Sequence, residues 1–147
     1  MKALSIRQPW AHLIVHGPKR IENRKRPWHY RGEVAIHSSK SMTRGEYLDV
    51  ADFLRSFDMG VELPAAHTLT LGAIVGVARI ILCLTPGRRV IERDHPAADS
   101  LDWWDQSQYG IVLSEVRPLA RPVPCSGMLG LWTVPPEVER QVRGQLR

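Results

Sequence analysis

The chain has 147 residues, 44% of them hydrophobic and 24% charged, with a net charge of +5. That length buries roughly two-thirds of the surface the unfolded chain exposes, so no metal or disulfide staple is needed, and the hydrophobic share excludes a wholly disordered chain. Arg79 interrupts the longest apolar run well short of the ~20 residues of a membrane span, and two cysteines without a CxxC pair argue against a disulfide scaffold or a cysteine-rich zinc site.

Lys2 to Arg7 reads as a first strand, with Leu4 and Ile6 on one face. A short helix follows. Pro9 suits its first position, Gly17 suits the position just past its end, and Trp10, Leu13 and Ile14 form its buried stripe. Arg20 to Arg24 reads as a short strand, and Lys25 to Tyr30 as a basic, aromatic loop. Gly32 to Ser39 is a strand, with Val34 and Ile36 on one face and Glu33, Ala35 and His37 on the other. Arg44 to Phe57 is a helix whose stripe carries Tyr47, Val50, Ala51, Leu54 and Phe57; Asp58 to Leu71 connects. Ala73 to Leu84 is apolar on both faces and should be a central strand, with Gly72 and Gly76 allowing the bends of a small barrel. Thr85 to Gln108 is a long loop holding Trp103 and Trp104. Tyr109 to Pro118 is a strand, Pro122 and Pro124 fit an edge segment, Gly130 to Val134 is a last strand, and Glu137 to Leu146 a terminal helix.

Strands with two or three interposed helices and no βαβ rhythm favour α+β with a small, mostly antiparallel barrel. One domain over residues 1–147 is expected, in a reducing cytoplasm, since the first residues lack the apolar core of a signal peptide.

Charge is unevenly placed. Residues 1–40 hold nine basic and two acidic residues, whereas the other 107 hold 11 and 13, so all the positive excess sits in the first quarter. Sixteen of the twenty cations are arginine, whose guanidinium binds phosphate bidentately and stacks on rings. An anionic partner follows, most simply a nucleic acid or nucleotide. The densest constellation joins Ser5, Arg7, Gln8 and Trp10 to Lys19, Arg20, Glu22 and Arg24, then His37, Ser38, Ser39 and Lys40. If residues 20–24 are extended, Arg20, Glu22 and Arg24 share a face, and Glu22 between arginines is held ionised.

The run SIRQPWAHLIVHGPKRIENR resembles the opening of the ASCH family, which is similar in fold to the PUA superfamily of RNA-binding pseudo-barrels. The matching residues are Ser5, Arg7, Gln8, Pro9, Trp10 and Ala11, then Gly17, Lys19, Glu22 and Arg24. Arg31-Gly32, the Gly72–Gly76 run and Gly127 to Trp132 match further on, so the resemblance covers essentially the whole chain. It implies a PUA-like α+β barrel with a cleft beside the first helix, lined by Lys19, Glu22 and Arg24 with Arg7 and Trp10 nearby. It implies RNA or DNA binding. A few members are hydrolases, either ribonucleases or amidohydrolases acting on acylated cytidine nucleosides, the latter using a Lys, a Thr and a Glu. This chain offers Lys19 and Glu22, but Asn23 rather than a Thr follows.

Arg7, Lys19, Arg24 and Lys40 are therefore expected to contact phosphate, Glu22 to orient the cations or accept a base amino proton, and Trp10 or Trp28 to stack a base. His37 and Ser39 would reach the ligand, with Gln8 beside them. Trp28 and Tyr30 lie among Arg24, Lys25, Arg26, His29 and Arg31, a mixture that suits single-stranded nucleic acid. If the chain is instead an enzyme, Lys19 and Glu22 are its catalytic pair. A third reading gives the Trp103–Trp104 loop a protein partner. No cofactor and no metal are expected: His12 and His16 have helical spacing for one, without a carboxylate to complete it.

Overall fold

The computed structural model describes residues 1–90 and 92–147. Strand β1 (Lys2–Ile6) leads into the six-residue helix α1 (Trp10–Val15). A helix this short is not stable alone. Gln8 braces it: the side-chain oxygen accepts from the His12 backbone N–H, and the amide donates to the Thr70 carbonyl. Ala11, Leu13, Ile14 and Val15 are buried, whereas Trp10 is half-buried. A Cβ on Gly17 would lie 2.7 Å from the Leu13 carbonyl oxygen, so the chain can turn tightly there only through glycine.

Strands β2 (Ile21–Arg24) and β3 (Gly32–Ser38) follow. Helix α2 (Arg44–Ser56) begins at a complete capping box, in which Thr43 accepts from the Glu46 N–H and Glu46 accepts from the Thr43 N–H. It ends before Phe57. That ring, expected on the buried stripe, is 63% exposed because the helix stops one residue short of it. Strand β4 (Ala73–Leu84) is as expected. Strand β5 (Tyr109–Pro124) runs on through the prolines that suggested a separate edge segment. Only residues 109–112 of β5 pair with β2, so beyond them one edge is free and a missing N–H is tolerated. Strand β6 (Leu131–Thr133) and helix α3 (Pro136–Gln145) close the chain.

The strands form one sheet in the order β2-β5-β4-β3-β1-β6. Only the β1–β3 pair is parallel. The sheet is a half-barrel rather than a closed one. β2 and β1 are four places apart, yet the Arg24 guanidinium donates to the Ser5 carbonyl at 2.8 Å, a reach possible only if the sheet curls. Because side chains alternate, Leu4, Ile6, Val34 and Ile36 pack inside against α1, while Ala3 and Ala35 face the opposite way with Trp132 and the α3 residues Val138 and Val142. At Gly76 α1 packs closely on the sheet: a Cβ there would stand 2.9 Å from both the Arg117 carbonyl oxygen and a Val15 methyl. A third cluster joins Leu13 and Ile21 to Val50, Leu54, Trp103 and Trp104. No helix among the described residues is long and apolar enough to cross a membrane.

Candidate nucleic-acid interface

The turn after α1 sets the first cluster. The Lys19 backbone N–H donates to the Leu13 carbonyl, and β2 starts two residues later. This directs the Lys19 side chain inward, where it is 2% exposed. Its ammonium donates to the Ile21 carbonyl and to Glu22 Oε2 at 3.3 Å, and lies 5.4 Å from the Trp10 ring centre. Burial holds the Lys19 pKa below the usual lysine value, the Glu22 carboxylate opposes that shift, and the Arg24 charge adds to it. Glu22 is shared, since its other oxygen is 3.3 Å from the Arg24 guanidinium. Arg24 also stacks over Trp28, at 5.4 Å, and its Nε–H is buried with no acceptor among the described residues.

Glu22 thus sits between a lysine and an arginine, not between two arginines. Arg20 turns away and donates to the Ile14, Gly17 and Lys19 carbonyls, satisfying the end of α1. Lys19 is not a surface cation, since its side chain is almost fully buried. The loop that follows is different. Lys25, Arg26, His29 and Arg31 are exposed and form no ion pair among the described residues, while Trp28 and Tyr30 are half-buried against the core between them.

Arg7, His37, Ser39 and Lys40 lie elsewhere. They line a groove of about 850 Å³ at the far ends of β1 and β3, across from residues 124–129. Arg7 already holds Glu46 through two guanidinium nitrogens, at 2.5 to 2.8 Å, and braces Ser41. Gln8 is spent on α1. His37 is 2% exposed. Its Nε2 faces the Cys125 carbonyl at 2.7 Å, which can only accept, so Nε2 carries the proton. Burial lowers the His37 pKa and favours the neutral ring, so Nδ1 accepts from the Ser5 hydroxyl at 3.1 Å. The Ser5 oxygen accepts in turn from the Trp132 indole N–H at 3.1 Å.

Ser5 is the junction of the two groups: its carbonyl takes Arg24 and its hydroxyl takes His37. It stands in the opening motif, but nothing in one dimension pairs residue 5 with residues 24, 37 and 132. Asn23 was missed for the same reason. Its amide donates to the Trp103 carbonyl and its oxygen accepts from the Asp105 N–H, tying the 98–105 segment to β2. Trp103 and Trp104 are both buried, at 5% and 7% exposure, so both anchor the loop. His12 and His16 stack at 5.1 Å, and no cluster of three or more potential metal ligands exists among the described residues. Burial and Glu137 raise the Cys125 pKa, which disfavours a reactive thiolate.

The ASCH domain family model matches residues 4–120. The crystal structure of ASCH from Zymomonas mobilis superposes with a TM-score of 0.54 at 14% identity, covering 97% of this chain and 93% of that one. Two single-residue mutants of the same protein superpose with TM-scores of 0.53 and 0.52, at 14% and 15% identity, each covering 97% of this chain and 94% and 96% of theirs. These likenesses establish the α+β fold. No curated protein matches.

Proposed function

The chain belongs to the ASCH domain family, which is PUA-like and associated with RNA binding, and from that premise we propose that it binds single-stranded RNA over the Lys25–Arg31 loop. One observation carries the reading. Lys25, Arg26, His29 and Arg31 are exposed without carboxylate partners and surround Trp28, whose ring is braced by Arg24. Unpaired cations meet phosphates, and an aromatic ring held among them accepts a base. Lys19 and Glu22 support this surface from beneath rather than touching the strand. They hold Arg24 in place, and Arg24 holds Trp28.

The test is a titration of labelled single-stranded RNA against variants. Trp28→Ala should weaken binding by about 1–3 kcal/mol, the range for one stacked base. Arg26→Ala should weaken binding and flatten its salt dependence by roughly one phosphate contact. Two variants that bind as the parent does would overturn the reading.

A second reading has its own support. A buried lysine with a lowered pKa beside a carboxylate suits general-base or nucleophilic work. On that reading the chain hydrolyses RNA or acylated cytidine nucleosides without a metal, and Lys19→Ala abolishes product while leaving multi-point RNA binding largely intact. Absence of product from both substrate classes would dispose of it.

A further inference from the structure

We propose that the groove between residues 39–41 and 125–129 is a second binding site, for the phosphate group of a nucleotide or of a nucleic-acid strand. Its chemistry is one-sided. Ser39, Lys40 and Ser41 form one wall and Ser126, Met128 and Leu129 the other, and no carboxylate among the described residues lines it. Lys40 is exposed and has no ion-pair partner among the described residues, so its charge is available, whereas Arg7 is neutralised by Glu46 and serves to brace Ser41. The backbone N–H groups of Ser126, Gly127 and Met128 donate to no acceptor among the described residues. An ammonium, hydroxyls and backbone N–H groups without acceptors, gathered along one groove with no opposing carboxylate, make a cradle suited to an anion. Leu129 is 99% exposed and Met128 57%, so an apolar rim stands where a sugar or base attached to that phosphate would lie.

The cradle is built rather than incidental. Beneath it, Trp132, Ser5 and His37 form a buried hydrogen-bonded chain that ends on the Cys125 carbonyl and pins the start of the 125–129 wall. Gly127 lies directly on that chain: a Cβ there would be 2.5 Å from His37 Cε1 and 2.6 Å from Ser5 Oγ. Only glycine lets the backbone approach that buried chain so closely, and this fixes the position of the wall at Gly127. A polar chain of this kind costs desolvation wherever it is buried. Here it preorganises a loop of which only the Cys125 side chain packs against the core.

A phosphate of a strand would rest on the RNA reading above; a mononucleotide would not. The experiment is a 1H–15N NMR titration of the full chain with inorganic phosphate, a 5′-mononucleotide and a short single-stranded RNA. Saturable shifts of the Ser126, Gly127 and Met128 amides are expected, weakened several-fold in Lys40→Ala. This substitution removes an exposed side chain without touching the core. Shifts with the mononucleotide assign the groove to phosphate esters in general; shifts with the RNA alone assign it to a strand. No saturable shift at these amides with any probe, or the same shift in Lys40→Ala, would overturn the site. Because Trp28→Ala and Arg26→Ala report on the other face, failure here and failure of the RNA reading are distinguishable.

Discussion

Burial decides what Lys19 can do. On the page of the sequence it stands beside Arg20, Glu22 and Arg24 as one cation among several, and its spacing from Glu22 correctly brings the pair together. What spacing could not supply is depth, because depth depends on Trp10 and on the curl of the sheet. Lys19→Met would leave the Glu22 carboxylate, 12% exposed, with Arg24 as its remaining partner, so the loss should be smaller than the cost of about 3–5 kcal/mol for a buried charge left unpaired. Chemical denaturation should show that loss, and an unchanged midpoint would mean the ion pair is solvated. Arg20 was misplaced by alternation because a long side chain can leave its strand face to satisfy helix carbonyls. His37 gives the residue-scale pH dependence. Its pKa is lowered by burial, so between the unfolded value near 6.5 and its folded value the unfolded chain binds more protons, and stability falls as pH falls through that window. Denaturant midpoints at pH 7.5 and below 6 should show a loss for the parent that is smaller in His37→Asn. An equal loss in both would move the effect to His12, whose pKa is also lowered.

At the scale of elements, the sequence is most legible where period and capping agree. α2 carries both a stripe and a capping box, and β4 is apolar on both faces because it lies in the middle of the sheet. Thr43→Ala removes the cap and should cost about 1 kcal/mol, read as a lowered denaturant midpoint. The sequence is least legible where an element is completed by a distant partner. The length of β5 depends on the edge left free where β2 ends, which tolerates its prolines, and the half-barrel depends on Arg24 reaching Ser5. Thr85 to Gln108 reads in sequence as a long loop, and the bonds Asn23 makes to Trp103 and Asp105 are not visible locally. Asn23→Ala should therefore release it: limited proteolysis between residues 98 and 108 should accelerate while the global midpoint moves little. Unchanged cleavage would leave the tryptophans alone as its anchors.

For the whole molecule, charge asymmetry was the feature that reached furthest. The excess of cations in the first quarter is real in sequence, but folding sorts it into three fates. Lys2, Lys19, Arg20 and Arg24 are spent on Thr133, carbonyls and Glu22, Arg7 is spent on Glu46, and Lys25, Arg26, Arg31 and Lys40 remain on the surface without a carboxylate partner among the described residues, Arg31 being held by the Trp28 and Tyr30 carbonyls. Only the last group can attract a polyanion, and it lies in two places: around Trp28 and at the groove beside Gly127. Beside α1, Lys19, Glu22 and Arg24 form a largely buried ion-pair cluster, and Ser5 joins it to the groove through its carbonyl and hydroxyl. The measurement that tests this account most directly is the salt dependence of single-stranded RNA binding by fluorescence anisotropy, with a chelator present. Binding at low salt that weakens by about 0.7 in log affinity per log salt for each neutralised phosphate is predicted, with the slope reduced when Lys25, Arg26 and Arg31 are replaced by Gln. No binding at low salt, or binding indifferent to salt and to those replacements, would contradict it.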